Sequence, residues 1–233
     1  MYAHLNSFFF GYYPYIALTI FLLGSLIRFD REQYSWKAGS SQLLRRRQLR
    51  WGSNLFHVGI LVIFVGHLFG LLVPSTIYAF FGIGYTAKQL LAIILGGVAG
   101  IACFVGLTML IHRRLVDPRI RSTSSAADIG ILLLLYAQLT LGLLTIPLSL
   151  GHLDGSEMLR FMAWAQGIVT FQPGVADLVL DAHPIFKAHL FLGLTLFLVF
   201  PFTRLVHIWS APIWYLGRRG YQIVRSKRPQ AAE

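Results

Sequence analysis

Four histidines, His57, His67, His189 and His207, lie inside two long apolar runs of the chain. Imidazole is the commonest protein ligand for transition metals and a standard axial ligand of haem iron. An ionisable side chain within a bilayer is costly and faces the bundle interior or a pathway. Four of them confined to two segments therefore need a cause. On a helix the ten positions from His57 to His67 cover about 15 Å and leave a rotation of about 80°, so both rings share one half of the helix. The eighteen positions from His189 to His207 cover about 27 Å and return to the same face. If the two runs cross a membrane in opposite directions, depth pairs His67 with His189 and His57 with His207. A mismatch of about 12 Å between the two separations is left for helix tilt and ligand reach to absorb.

Two opposed imidazoles suit a haem iron held from both sides, a centre that passes electrons and leaves no position open for oxygen. Two such centres at different depths would conduct across a membrane. The competing assignment is a histidine-lined zinc or copper transporter, which would usually add carboxylates, Met or Cys at depth. The runs hold almost none of these: Asp128 is at the start of one, Cys103 is solitary, and Met109 is near the end of another. Small residues cluster near the histidines. Gly59, Gly66 and Gly70 surround the first pair, Gly193 lies one turn beyond His189, and Gly96, Gly97 and Gly100 open a neighbouring run. They would make room for a flat macrocycle or serve helix–helix packing.

The elements that must position these residues follow from composition. Of the 233 residues 56% are hydrophobic and 12% charged, and the mean hydropathy is +0.64. A soluble domain carries about 25% charged residues, so a soluble enzyme is excluded, and disorder is excluded by the same balance. Apolar runs of about 20 residues read as transmembrane helices. Five are found, at residues 8–27, 54–73, 89–111, 128–148 and 188–208. The fold expected is an all-α integral membrane bundle of five transmembrane helices, one membrane domain over residues 1–233 ending in a tail at 209–233. The first run lacks a basic leader and a small-residue cleavage site, so it is expected to be retained. The single cysteine excludes an internal disulfide, an all-cysteine zinc site, an iron–sulfur cluster held by this chain alone and a C-x-x-C-H haem attachment.

Lys and Arg give the expected orientation. Arg28, Arg31, Lys37, Arg45, Arg46, Arg47 and Arg50 lie between runs one and two, Arg113, Arg114, Arg119 and Arg121 follow run three, and Arg204, Arg218, Arg219, Arg225, Lys227 and Arg228 close the chain. The opposite side has Lys88, Arg160 and Lys187. Positive charge stays on the cytoplasmic side, so the N-terminus is expected outside and the C-terminus inside. The net charge of +11 is therefore assigned to topology, with some anionic-lipid contact, and no nucleic acid is expected. Within the long outer segment 149–187, residues 156–171 read as a helix lying along the membrane surface with Trp164 at the interface. No internal repeat is visible.

At these residues the sequence resembles the gamma subunit of the membrane-bound respiratory nitrate reductases, a cytochrome b family. The likeness is carried by NSFFFGYYPYIA (6–17), FDREQYSWKAGSSQ (29–42), SNLFHVGILVIFVGHLFG (53–70), GLLTIPLSLGHLDGSEM (142–158) and AHLFLGLTLFLVFPFTRLVHIWS (188–210), spread over nearly the whole chain. The resemblance implies two b-type haems, the distal on His67 and His189 near the outer face and the proximal on His57 and His207 near the inner face. It implies oxidation of menaquinol or ubiquinol near the distal haem, in the cytoplasmic (inner) membrane. Electrons would then go to an iron–sulfur beta subunit and a molybdenum-containing alpha subunit on the cytoplasmic side, where nitrate becomes nitrite in nitrate respiration or assimilation. Lys88 looks like the lysine placed near the quinol site in the family. It could bond a quinone oxygen or simply snorkel. Gly66, beside His67, would let a quinol ring approach closely. Arg204, with Arg113 or Arg114 on the same side, would meet the propionates of the proximal haem. A related dihaem subunit of a sulfite- or heterodisulfide-reductase-like complex is the alternative that keeps the chemistry and changes the partner.

Overall fold

The computed structural model describes residues 2–32, 34, 36 and 44–210. Lys37, the basic residues at 218–228 and the tail from 211 lie outside the described residues. Among the described residues five helices are long and apolar enough to cross a membrane: Tyr2–Glu32, Arg46–Leu72, Tyr85–Val116, Ala126–Leu150 and Pro184–Phe202, here spans one to five. Spans one, three and four overrun the apolar runs at both ends, and span two overruns its run at the start alone. Span two, with 27 residues, is about 40 Å long against a hydrocarbon core of about 30 Å, so its first turns stand in the headgroup region.

Proline shapes both ends of the chain's path. Pro14 has no N–H to return to Phe10, and its ring crowds that carbonyl. Span one responds with a π-helical stretch over Phe8–Tyr12, in which the Tyr13 N–H reaches back to the Phe8 carbonyl. The freed Phe10 carbonyl accepts the indole N–H of Trp164 at 2.9 Å. In span five, Pro201 ends regular helix: α-helix stops at Val199, a 3₁₀ turn covers Phe200–Phe202, Thr203 is extended, and a second 3₁₀ segment runs over Arg204–Ser210. The helix predicted over 188–208 is thus broken. His207 reaches its position on a separate segment after a turn, and the straight-helix separation of about 27 Å does not apply to it.

Packing runs in sequence: span two against three, three against four, four against five, five against one. Span two, and span five with the 3₁₀ segment that follows it, carry the histidines and share no comparable face. At the basic end ion pairs and carbonyl contacts stitch the helices together. Arg28 donates to the Pro201 and Thr203 carbonyls, Arg45 pairs with Asp117 at 2.8 Å, and Arg114 and Arg204 both meet Asp128. At the far end Lys187 donates to the Tyr2 hydroxyl, the Asn6 side chain and the Leu180 carbonyl.

The predicted surface helix exists over Ser156–Val169. Trp164 differs from the expectation. It is buried, 5% exposed, within a core formed with Phe10, Phe161, Ile168 and Val179. The Phe10 carbonyl released by Pro14 is what draws its indole inward.

Gly59 settles its own role as packing. A Cβ there would stand 2.6 Å from the Ala99 carbonyl oxygen and 2.7 Å from the Cys103 Cβ, both on span three. Gly66, Gly70 and Gly96 have no atom within 4 Å of the same position. Gly59→Ala is therefore expected to force spans two and three apart at a cost of about 1–3 kcal/mol, read as a lower unfolding temperature in detergent. Gly66→Ala should leave that temperature unchanged.

Paired histidines between spans two and five

The four membrane histidines stand in two facing pairs. His67 and His189 have ring centroids 6.1 Å apart, and His57 and His207 have theirs 6.5 Å apart. These are the pairings that depth selects. A bond of about 2 Å from a first-row metal to an imidazole nitrogen puts each ring centroid about 3 Å from the metal. Two rings on opposite sides of one ion then have centroids about 6 Å apart.

Tautomer is fixed by the backbone. The His57 Nδ1 meets the Ser53 carbonyl at 2.7 Å, His67 that of Ile63 at 2.8 Å, His189 that of Gln138 at 3.2 Å and His207 that of Arg204 at 2.5 Å. A carbonyl only accepts, so each Nδ1 carries the proton and donates. Each Nε2 is left with a lone pair. A ring N–H held by a carbonyl is also what orients a metal-binding histidine and raises its basicity. The residues present therefore fit two axially ligated metal centres. Among the described residues no three His, Cys, Asp or Glu side chains converge. The donors come in twos, whereas a structural zinc site takes four and a catalytic one three.

Lys88 is not a snorkelling surface lysine. It is 7% exposed. Its Nζ donates to the Gly70 carbonyl at 3.2 Å and to the Met162 sulfur at 3.0 Å, and it lies 3.7 Å from the centre of the Tyr78 ring. The last turn of a helix leaves carbonyls without intrahelical partners, and side chains answer several of those at the end of span two. Tyr78 donates to the Phe69 carbonyl, Lys88 to Gly70, and Gln166 to Leu71 and Val73. A cation there also complements the helix dipole. Lys88 thus caps the end of span two, one turn beyond His67. Met162 lies 74 positions away on the surface helix, and no spacing or motif in the sequence marks it as a neighbour.

At the basic end Arg114 and Arg204 converge on one carboxylate. Arg114 lies 3.7 Å and Arg204 3.5 Å from Asp128, and Arg114 also donates to the Ser124 hydroxyl at 2.7 Å. Arg113 turns the other way and donates to the Leu44 carbonyl at 2.7 Å. Of the two neighbours only Arg114 joins Arg204. Asp128 is itself the N3 residue of a capping box with Ser125, the signature S-x-x-D that fixes the start of span four.

Five membrane-length helices carrying paired histidines define a multi-pass helical membrane protein. The family model described as nitrate reductase gamma subunit matches residues 6–227. The chain is 52% identical over 228 residues to the respiratory nitrate reductase 2 gamma chain of Escherichia coli K12, covering 98% of this chain and 100% of that one. It is 52% identical over 223 residues to the respiratory nitrate reductase 1 gamma chain of the same organism, covering 96% and 98%. It is 40% identical over 218 residues to the nitrate reductase gamma chain of Bacillus subtilis 168, covering 93% and 96%. The chain belongs to the nitrate reductase gamma subunit family. It is a membrane subunit of a respiratory nitrate reductase, an oxidoreductase complex of several chains.

Proposed function

We propose that this chain oxidises quinol near the His67–His189 end and delivers the electrons to partner subunits at the basic end, where nitrate is reduced. The observation that carries the reading is the two histidine pairs, each at the ring separation of an axially ligated ion and each with Nδ1 held so that Nε2 is free to coordinate. His67 with His189 would hold the distal haem, and His57 with His207 the proximal one. When bound, the two b-type haems supply one-electron centres that take electrons from quinol and pass them across the membrane. The partners are an iron–sulfur beta subunit and a molybdenum-containing alpha subunit, which would dock on the basic end together with anionic lipid. That end is cytoplasmic and the N-terminus outside by the distribution of Lys and Arg.

The residues of the chain do the rest. Lys88 supplies up to three donors. One is spent on a sulfur, a weak acceptor, so a quinol oxygen, menaquinol or ubiquinol, would displace Met162 cheaply. The ammonium charge favours the deprotonated oxygen, easing loss of the hydroxyl proton. Gly66, with no atom within 4 Å of its missing Cβ, lets the quinol ring approach the backbone beside His67. Arg114 and Arg204, clustered on Asp128, offer guanidinium donors to the propionates of the proximal haem. A metal transporter would need three or more ligands at one point, and the histidines are grouped in twos.

The reading is tested in membranes carrying the whole complex. Adding quinol should produce a b-type reduced spectrum, and nitrate should then reoxidise it. Failure of quinol to reduce the band, or of nitrate to reoxidise it, would overturn the proposal. Reoxidation by sulfite instead would assign the chain to a different reductase.

A further inference from the structure

Three of the four histidine Nδ1 atoms bond within their own segment, His57 to Ser53, His67 to Ile63 and His207 to Arg204. His189 does not. Its Nδ1 donates across to span four, to the Gln138 carbonyl 51 positions away. That carbonyl is accessible because the residue one turn on, Gly142, has no side chain to cover it. A Cβ on Gly142 would stand 2.9 Å from the His189 Cε1 and 3.5 Å from its Nδ1. The contact is reciprocal. Gly193 of span five faces Gln138 of span four, where a Cβ would stand 3.1 Å from the amide Nε2. Each helix thus presents a glycine to the polar side chain of the other, four positions apart on both, in one antiparallel register.

We infer that Gly142 is a positioning residue: by leaving the Gln138 carbonyl open it lets span four set the ring orientation and tautomer of His189, and so controls the outer centre alone. The inference rests on His189 being a haem ligand, as proposed above. Among the described residues the inner pair has no counterpart to this cross-helix bond, so span four should tune one centre without touching the other.

The test is Gly142→Ala in the full chain within its complex, followed by redox titration with low-temperature electron paramagnetic resonance of the two b-type signals. The outer signal is identified as the one missing in His67→Ala. Gly130→Ala, on the same helix with no atom within 4 Å of its Cβ position, is the control. In Gly142→Ala the outer signal should shift in g value and midpoint potential, with retention of the outer group weakened on the order of tenfold as for other lost orienting contacts. The inner signal and both control signals should stay in place. An unshifted outer signal overturns the inference, and so does loss of both signals together, because the effect claimed is selective. A parent protein with fewer than two such signals would instead overturn the haem assignment beneath it.

Discussion

His67→Ala is expected to remove one of two b-type signals, about half of the b-type absorbance, and to abolish quinol oxidation while the inner signal persists. The ring stands 6.1 Å from that of His189, and its Nδ1 is already committed to the Ile63 carbonyl. On the proposed assignment alanine takes away an iron ligand, together with one hydrogen bond inside span two. His189 stays tied to Gln138, but one imidazole would not hold a haem iron from both sides. The His57–His207 pair lies at the basic end, on the Ser53 and Arg204 carbonyls, and is untouched. His57→Ala should do the converse: the inner signal goes, quinol still reduces the outer centre, and the electrons stop there. Paired low-temperature spectra of the two variants, with quinol as reductant, read both outcomes. An unchanged two-centre spectrum in His67→Ala would contradict the ligand assignment.

Lys88 carries the second large effect. Lys88→Ala is expected to lower kcat/KM for quinol by about 10²–10³, the loss typical when one donor to a developing oxyanion is removed, with both b-type signals retained. Capping alone makes a different forecast. Losing the bond to the Gly70 carbonyl would cost about 1–3 kcal/mol of stability and no selective turnover. Lys88→Gln separates the two. Its amide N–H groups can still answer a carbonyl, but it has no charge to favour a deprotonated quinol oxygen. Near-normal stability with turnover as low as in Lys88→Ala supports the quinol role, whereas near-normal turnover assigns Lys88 to capping span two.

Much of this was legible in the sequence because a bilayer imposes a coarse rule. Five apolar runs became five spans, most of whose ends lengthened because helices continue into the headgroup region, while span five stopped short at Phe202. The histidine pairings followed from depth alone. What depth and rotation could not reveal was the path of span five: Pro201 and Thr203 break the helix, so His207 arrives on a 3₁₀ segment and not by eighteen residues of regular rotation. Trp164 was misread because amphipathicity places an aromatic at an interface, while the acceptor that buries it, the Phe10 carbonyl, is freed by Pro14 some 150 positions earlier. Lys88 was ambiguous for a related reason. Its partners at Gly70, Tyr78 and Met162 come from three separate segments, and no local pattern joins them. Gly142 and Gln138 carried no signal at all, because a glycine that uncovers a carbonyl for a neighbouring helix is indistinguishable in sequence from one that merely packs.

Pyridine haemochrome quantification on the purified chain tests the centre of the account most directly. Two protohaems per polypeptide are expected, one for each facing pair of imidazoles. A preparation that turns over quinol at its full rate with no haem bound would contradict it.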